Sequence, residues 1–324
     1  MPRDRATRTP NALARQYGAA VLLALFVVAL ATVIVSGLFW RQFVLFRTIE
    51  NLQTGTQATL LLHAAQDWAR LILQDQTHPA FDALSDGWAQ PLAPTQLEQL
   101  GDISALAARA TLEGGIQDAQ ARFNLRNLVD GAGNIVPTQL AVLDKLGSVL
   151  AVPSGTARVI AAYLAQSYAG TPGPGSVAVG TAGGRPVPPV FPEDLAAVPG
   201  IDPGAAQVLA PFVIVLDQTN TAVNFNTAGP ELMAAEIPDL SISDANALAA
   251  ERDRAYFVNI ADIQNRLHGR GGSFPPTGIS TNSQYFIVQG TVRLDQAVTR
   301  MQALVKRTGS GPQGAVEVLW RRET

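Results

Sequence analysis

Residues 19–40 read AAVLLALFVVALATVIVSGLFW. These 22 residues carry no ionised side chain, and the charge-free interval extends from Arg15 to Arg41. As a helix rising about 1.5 Å per residue, the run is about 33 Å long, which matches the hydrocarbon core of a bilayer. A core helix of a water-soluble domain rarely goes that far without a polar face, so residues 19–40 are read as a transmembrane helix. The run is too long for a secretory signal and ends in Leu38, Phe39, Trp40 and Arg41 rather than at a small-x-small site, so it is kept as an anchor with Trp40 at the interface. Arg3, Arg5, Arg8 and Arg15 precede it against the single acid Asp4, which favours a cytoplasmic amino terminus.

Immediately before the apolar run stand Arg15, Gln16, Tyr17 and Gly18, followed by Ala19, Ala20, Val21, Leu22 and Leu23. This junction resembles the leader of type IV pilins and type II secretion pseudopilins, in which a prepilin peptidase cuts after the glycine. The resemblance implies cleavage between Gly18 and Ala19, with residues 1–18 as the leader. Most of that family has glutamate at the fifth mature position, where this chain has Leu23. A carboxylate within hydrocarbon is costly unless paired, and in pilins its partner is the amine of a neighbouring subunit. A subunit with nothing stacked above it has no such amine to meet, and the K-type minor pseudopilin is the member that lacks this glutamate.

Beyond the membrane, Leu45, Ile49, Leu52, Leu60, Trp68, Leu71 and Ile72 recur at near-helical spacing with no proline before Pro79, which predicts one helix from about Ala19 to Gln74. His78, Pro79 and the Gly87 to Pro94 region read as loop. The stretch Gly114 to Val129, GGIQDAQARFNLRNLV, reads as one or two strands leading into a turn at Asp130 to Gly133. It is similar to a segment of K-type pseudopilins at Asp118, Arg122, Phe123, Asn124, Leu125, Asn127 and Leu128, and the resemblance implies structural roles for them.

From Val136 to about Leu267 the pattern is helical. It is interrupted at residues 170–192, where 12 of 23 residues are Gly or Pro, a composition suited to a surface loop. Turns at Val152 to Gly155, Val198 to Ile201 and Ile237 to Leu240 each precede an Ala-rich helix, as in helix-hairpin-helix or SAM-like units. Such units hold DNA in other proteins, so a membrane-anchored DNA-binding module of a DNA-uptake system is the alternative reading. Charge argues against nucleic acid: residues 186–251 contain nine acids and no Lys or Arg, and the chain carries a formal −3. The segment PFVIVLDQTNTAVNFNTA, residues 211–228, resembles a further K-type motif at Asn224, Asn226, Thr227 and Ala228, continued by Arg252, Phe257, Asp262 and Leu267. Without that resemblance, the Asn-x-Asn-Thr group reads as turn and cap chemistry.

After Gly269 to Gly272 and Pro275–Pro276, two-residue alternation returns. Phe286, Val288, Val292 and Leu294 fall on one face, Tyr285, Gln289, Thr291 and Arg293 on the other; Met301, Ala303 and Val305 alternate likewise, and Val316, Val318 and Trp320 form a last strand.

Little catalytic chemistry is legible. There is no cysteine, which removes thiol, disulfide and iron–sulfur chemistry, and His63, His78 and His268 are isolated. No nucleophile elbow, phosphate loop or dinucleotide fingerprint occurs. Calcium occurs in related pseudopilins, and acidic loops suit it, but no twelve-residue EF-hand spacing is present; a solvated acidic surface is the simpler account.

The chain is therefore expected to be α+β. A long N-terminal transmembrane pseudopilin helix, residues 19–40 continuing through 41–135 with the first strands, packs on a small antiparallel sheet. An inserted α-helical, SAM-like domain occupies 136–268 and the rest of the sheet 269–324. By resemblance it is a non-enzymatic minor pseudopilin of the K type in the bacterial inner membrane, single-pass, with its C-terminal domain periplasmic. Its implied partners are the I- and J-type minor pseudopilins, other pseudopilins and the prepilin peptidase. It would start and cap the short filament that exports folded proteins. Removing residues 1–18 leaves 19 basic and 25 acidic residues, a formal −6, so the mature head is acidic.

Overall fold

The computed structural model describes residues 13–75, 80–100, 109–169, 184–270, 274, 277–295, 297–309 and 314–324. The leader residues 1–12, His78, Pro79, most of the Gly/Pro-rich loop and Pro275–Pro276 lie outside them. The chain divides into two compact units, residues 1–58 and 59–324.

Helix α1 runs from Leu13 to Gln74 without a break. Among the described residues it is the one helix long and apolar enough to cross a membrane. Within the first unit its side chains from Ala19 to Leu52 are exposed on every face, as an anchor that meets lipid requires. Thr32 and Thr48 return their hydroxyls to the carbonyls of Val28 and Val44, the usual way a hydroxyl is satisfied on such a helix.

The second unit is built on a five-stranded, wholly antiparallel sheet. Its strands are β1 (Leu92–Gln96), β2 (Thr111–Asp118), β7 (Tyr285–Leu294), β8 (Ala297–Thr308) and β9 (Ala315–Glu323), in the order β1-β2-β7-β8-β9. Two of them come from before the helical region and three from after it. The end of α1 lies on one face: Ala69 and Leu73 pack with Phe286, Val288, Val305, Val316 and Trp88. Close approach is allowed by glycine, since a Cβ at Gly290 would stand 3.1 Å from Leu62 Cδ2.

One expectation needs correction, and the sheet adds two details that the alternation does not carry. Leu92 to Pro94 is strand, not loop; β1 is an edge strand paired only to β2, and a proline is tolerated there because its missing N–H faces no neighbour. Tyr285 is buried, as is Ile287, because the second face of β7 is covered by Ile214 and Leu216. Trp320 does not share a face with Val316 and Val318: a register shift places Leu304 opposite Trp320 but Val305 opposite Val318, so Leu319 is an extra residue that reverses the alternation.

The helical layer comprises α2 (Pro137–Val149), α3 (Thr156–Tyr168), α4 (Pro203–Leu209), α5 (Pro230–Glu236), α6 (Ile242–Arg254) and α7 (Ile260–Leu267). Proline opens α2, α4 and α5, where its absent N–H costs nothing. Side chains of Asp202, Ser241 and Asn259 cap α4, α6 and α7 by accepting from the N–H three residues on. The layer has its own core, including Phe123, Leu143, Leu164, Leu195, Phe225, Leu248 and Phe257. Two-residue parallel pairs, β3 (Phe123–Asn124) with β4 (Val213–Ile214) and β5 (Val223–Asn224) with β6 (Ile279–Ser280), stitch it to the sheet. The three turns before α3, α4 and α6 each put one residue in the left-handed region: Gly155, Gly200 and Asp239.

Candidate functional site

The motif residues meet where the chain leaves the sheet for the helical layer and where it returns. Asp118 ends β2 and is buried. Its Oδ2 accepts from Asn224 Nδ2 at 2.9 Å, Thr227 Oγ1 at 2.6 Å and Ser283 Oγ at 2.6 Å, and its Oδ1 accepts from the Gln120 N–H at 2.7 Å. Burial raises its pKa to about 6, while these hydrogen bonds pull the other way.

Asn224 does two jobs. Its Oδ1 accepts from the Asn226 N–H, a local turn bond, while its Nδ2 also reaches the Asp82 carbonyl and Ser283 Oγ. Asn226 binds both backbone groups of Phe257, accepting from its N–H at 2.8 Å and donating to its carbonyl at 2.9 Å. The Ala228 carbonyl accepts from buried Arg252 at 2.6 Å. Turn chemistry is present, but the longer bonds tie segments more than 50 residues apart.

Asn124 and Asn127 form a second clamp, on residues 216–221. Asn124 Oδ1 accepts from the Arg126 and Leu216 N–H groups, and its Nδ2 donates to the Gln218 carbonyl. Asn127 brackets Thr221, accepting from its N–H and donating to its carbonyl. Phe123 is fully buried in the helical core. Arg122 stands apart from both clamps, half-buried, with one bond to Gln117 Oε1 at 2.9 Å. Gly18 lies within α1, and Leu23 is exposed on it.

Four contributors were not singled out in the sequence. Asp82, fully buried, takes both of its carboxylate oxygens to Arg307 Nη2 at 2.7 and 2.6 Å, and that guanidinium also reaches the Ser283 carbonyl. Ser283 links this pair to Asp118. Gln120 spans the junction, donating to the Ala222 carbonyl and accepting from the Gln284 N–H. Only Gln120 had a nearby signal, since it sits within the polar stretch around Asp118.

Chemically this is a buried scaffold. Asp118, buried and with its pKa raised, has both carboxylate oxygens occupied by hydrogen bonds from the fold itself. Among the described residues no three His, Asp or Glu side chains come together in a group that could hold a metal ion. Asp130, in an exposed loop, already accepts from the Ala132 and Asn134 N–H groups. His63 faces Glu323 at 3.1 Å, and His268 is the left-handed cap of α7.

An apolar helix, an antiparallel sheet and a helical layer tied to that sheet by buried polar clamps together make the arrangement expected of a pseudopilin. Residues 223–282, which hold Asn224 to Ala228 and Ser280, match the family model of type II secretion system protein K. The chain is 24% identical over 325 residues to protein K of Pseudomonas aeruginosa, covering 94% of this chain and 92% of that protein. It is 26% identical over 335 residues to protein K of Klebsiella pneumoniae, covering 91% and 94%. Its fold matches a chain of the crystal structure of the GspK-GspI-GspJ complex from enterotoxigenic Escherichia coli, with a TM-score of 0.63 at 22% identity, over 85% of this chain and 98% of that one. The chain is thus similar to type II secretion system protein K along most of its length.

Proposed function

We propose that this chain is the minor pseudopilin at the tip of the periplasmic filament of a type II secretion system, where it starts and caps the assembly that exports folded proteins. The observation that carries the reading is similarity to protein K along nearly the whole chain, anchor and head together. The leader ends at Gly18, the mature protein starts at Ala19, the amino terminus is cytoplasmic and the head periplasmic. Its partners are the I- and J-type minor pseudopilins, and it performs no catalysis.

Two features support the tip position. Leu23 stands where stacked subunits carry an acid, and the large helical layer is an obstacle to close-packed repetition along a shaft. The acidic charge of residues 186–251, nine acids with no Lys or Arg, argues against DNA. The test is mass spectrometry of the processed amino terminus in a host with its prepilin peptidase, joined to co-purification with the I- and J-type subunits. A start at any residue other than Ala19, or a chain recovered all along the filament, refutes the reading.

A further inference from the structure

The bulge in β9 gives Trp320 a position that the strand's own repeat denies it. Val316 and Val318 join the core under α1, whereas the indole crosses to the face of Leu304 and Ile287. Bulges characteristically re-aim a side chain in this way. Here the indole is turned into a cleft of about 240 Å³ between sheet and helical layer, walled also by Arg122, Phe191, Ile214, Ile287 and Gln302.

The cleft contains a buried donor and a guanidinium. Trp320 Nε1 is buried, and among the described residues no group accepts from it. An indole nitrogen can only donate, and a buried donor left unpaired is costly. Arg122 lines the cleft, gives one N–H to Gln117, and feels the charges of Asp118 and of Glu193. Arg322 crosses the rim, 4.6 Å over the Phe191 ring and bonded to Gln302 Oε1 at 2.8 Å. Phe191 in turn meets the indole edge to face at 5.0 Å, which fixes its direction. The acid of the lining, Glu193, is 64% exposed and stands 3.9 Å from Arg322, so it sits at the mouth rather than within.

We infer that this cleft binds a carboxylate, held by the Trp320 indole N–H and the Arg122 guanidinium, with Arg322 at the entrance. Guanidinium and N–H donors suit a planar monoanion, and Ile214 and Ile287 give an apolar wall to the group that bears it. The acid is carried either by a small organic molecule or by a polypeptide, as a side chain or a free C-terminus.

The full chain in detergent micelles, labelled with ¹⁵N-tryptophan, gives one indole resonance for each of its four tryptophans. The Trp320 signal is identified by its proximity to Phe191 and by its loss in Trp320→Phe. It is titrated with sodium acetate, with acetyl-Ala-Leu bearing a free C-terminus, with the same peptide as its amide, and with sodium chloride. The expected result is a saturable shift with a carboxylate probe, weakened about tenfold in Arg122→Gln by the loss of a charge-assisted bond. A response to acetate and free-acid peptide alike supports a carboxylate from either source, and a response to the peptide acid alone supports a polypeptide. An indole signal that stays still with every probe, or moves equally with chloride or the amide, overturns the proposal without any variant having to fold.

Discussion

Glu236 ends α5 nearly fully buried, and burial alone pushes its pKa from 4.5 to about 8. Its Oε2 lies against the backbone at Gly278, where a Cβ would stand only 3.1 Å away, so the absence of a side chain there makes room for the carboxyl group. The folded protein therefore keeps a proton here that the unfolded chain releases above pH 4.5. The stability this group confers is complete below pH 4.5 and is lost as the pH rises through about 8. Between those limits the slope is about 1.4 kcal/mol per pH unit, for a ceiling of about 5 kcal/mol. Glu236→Gln keeps the shape and removes the titration. Asp118 shifts in the same direction but is common to both proteins, so it cancels in the difference. Urea unfolding of the full chain in detergent at pH 5, 6, 7, 8 and 9, followed by tryptophan fluorescence, is expected to show the variant gaining on the parent at every step up to about pH 8 and level beyond it. A difference that is flat from pH 5 to 8, or that slopes the other way, refutes the burial argument.

Two further changes probe the junction and the turns. Arg307→Met leaves the fully buried Asp82 without its cation and is expected to cost about 3 to 5 kcal/mol, read as a fall in the urea midpoint. At Asp239, with φ +57°, glycine is expected to be neutral or to stabilise by up to about 1 kcal/mol, whereas valine is expected to cost about 1 to 3 kcal/mol; a thermal melt that ranks valine above glycine contradicts the left-handed assignment.

What could be read from the sequence, and what could not, divides by the range of the interaction. The anchor is legible because one property, the absence of charge over residues 19–40, decides it locally. The alternation of Phe286 and Val288 is legible because the end of α1 packs on the face they share. Legibility fails where a second surface intervenes: alternation places Tyr285 on the face opposite Phe286 but does not show that Ile214 and Leu216 arrive from 70 residues upstream to cover it. The motif asparagines could be named individually, and their local turn bonds inferred from residue type. Their partners could not, since Ser283 and Asp82 carry no pattern and Asp82 meets Arg307 across 225 residues. Trp320 is the clearest case, because one inserted residue inverts the parity on which strand reading depends. That inversion spends sheet regularity to bring an indole donor beside Arg122, and a fold under selection for stability alone had a simpler course in letting β9 continue its alternation.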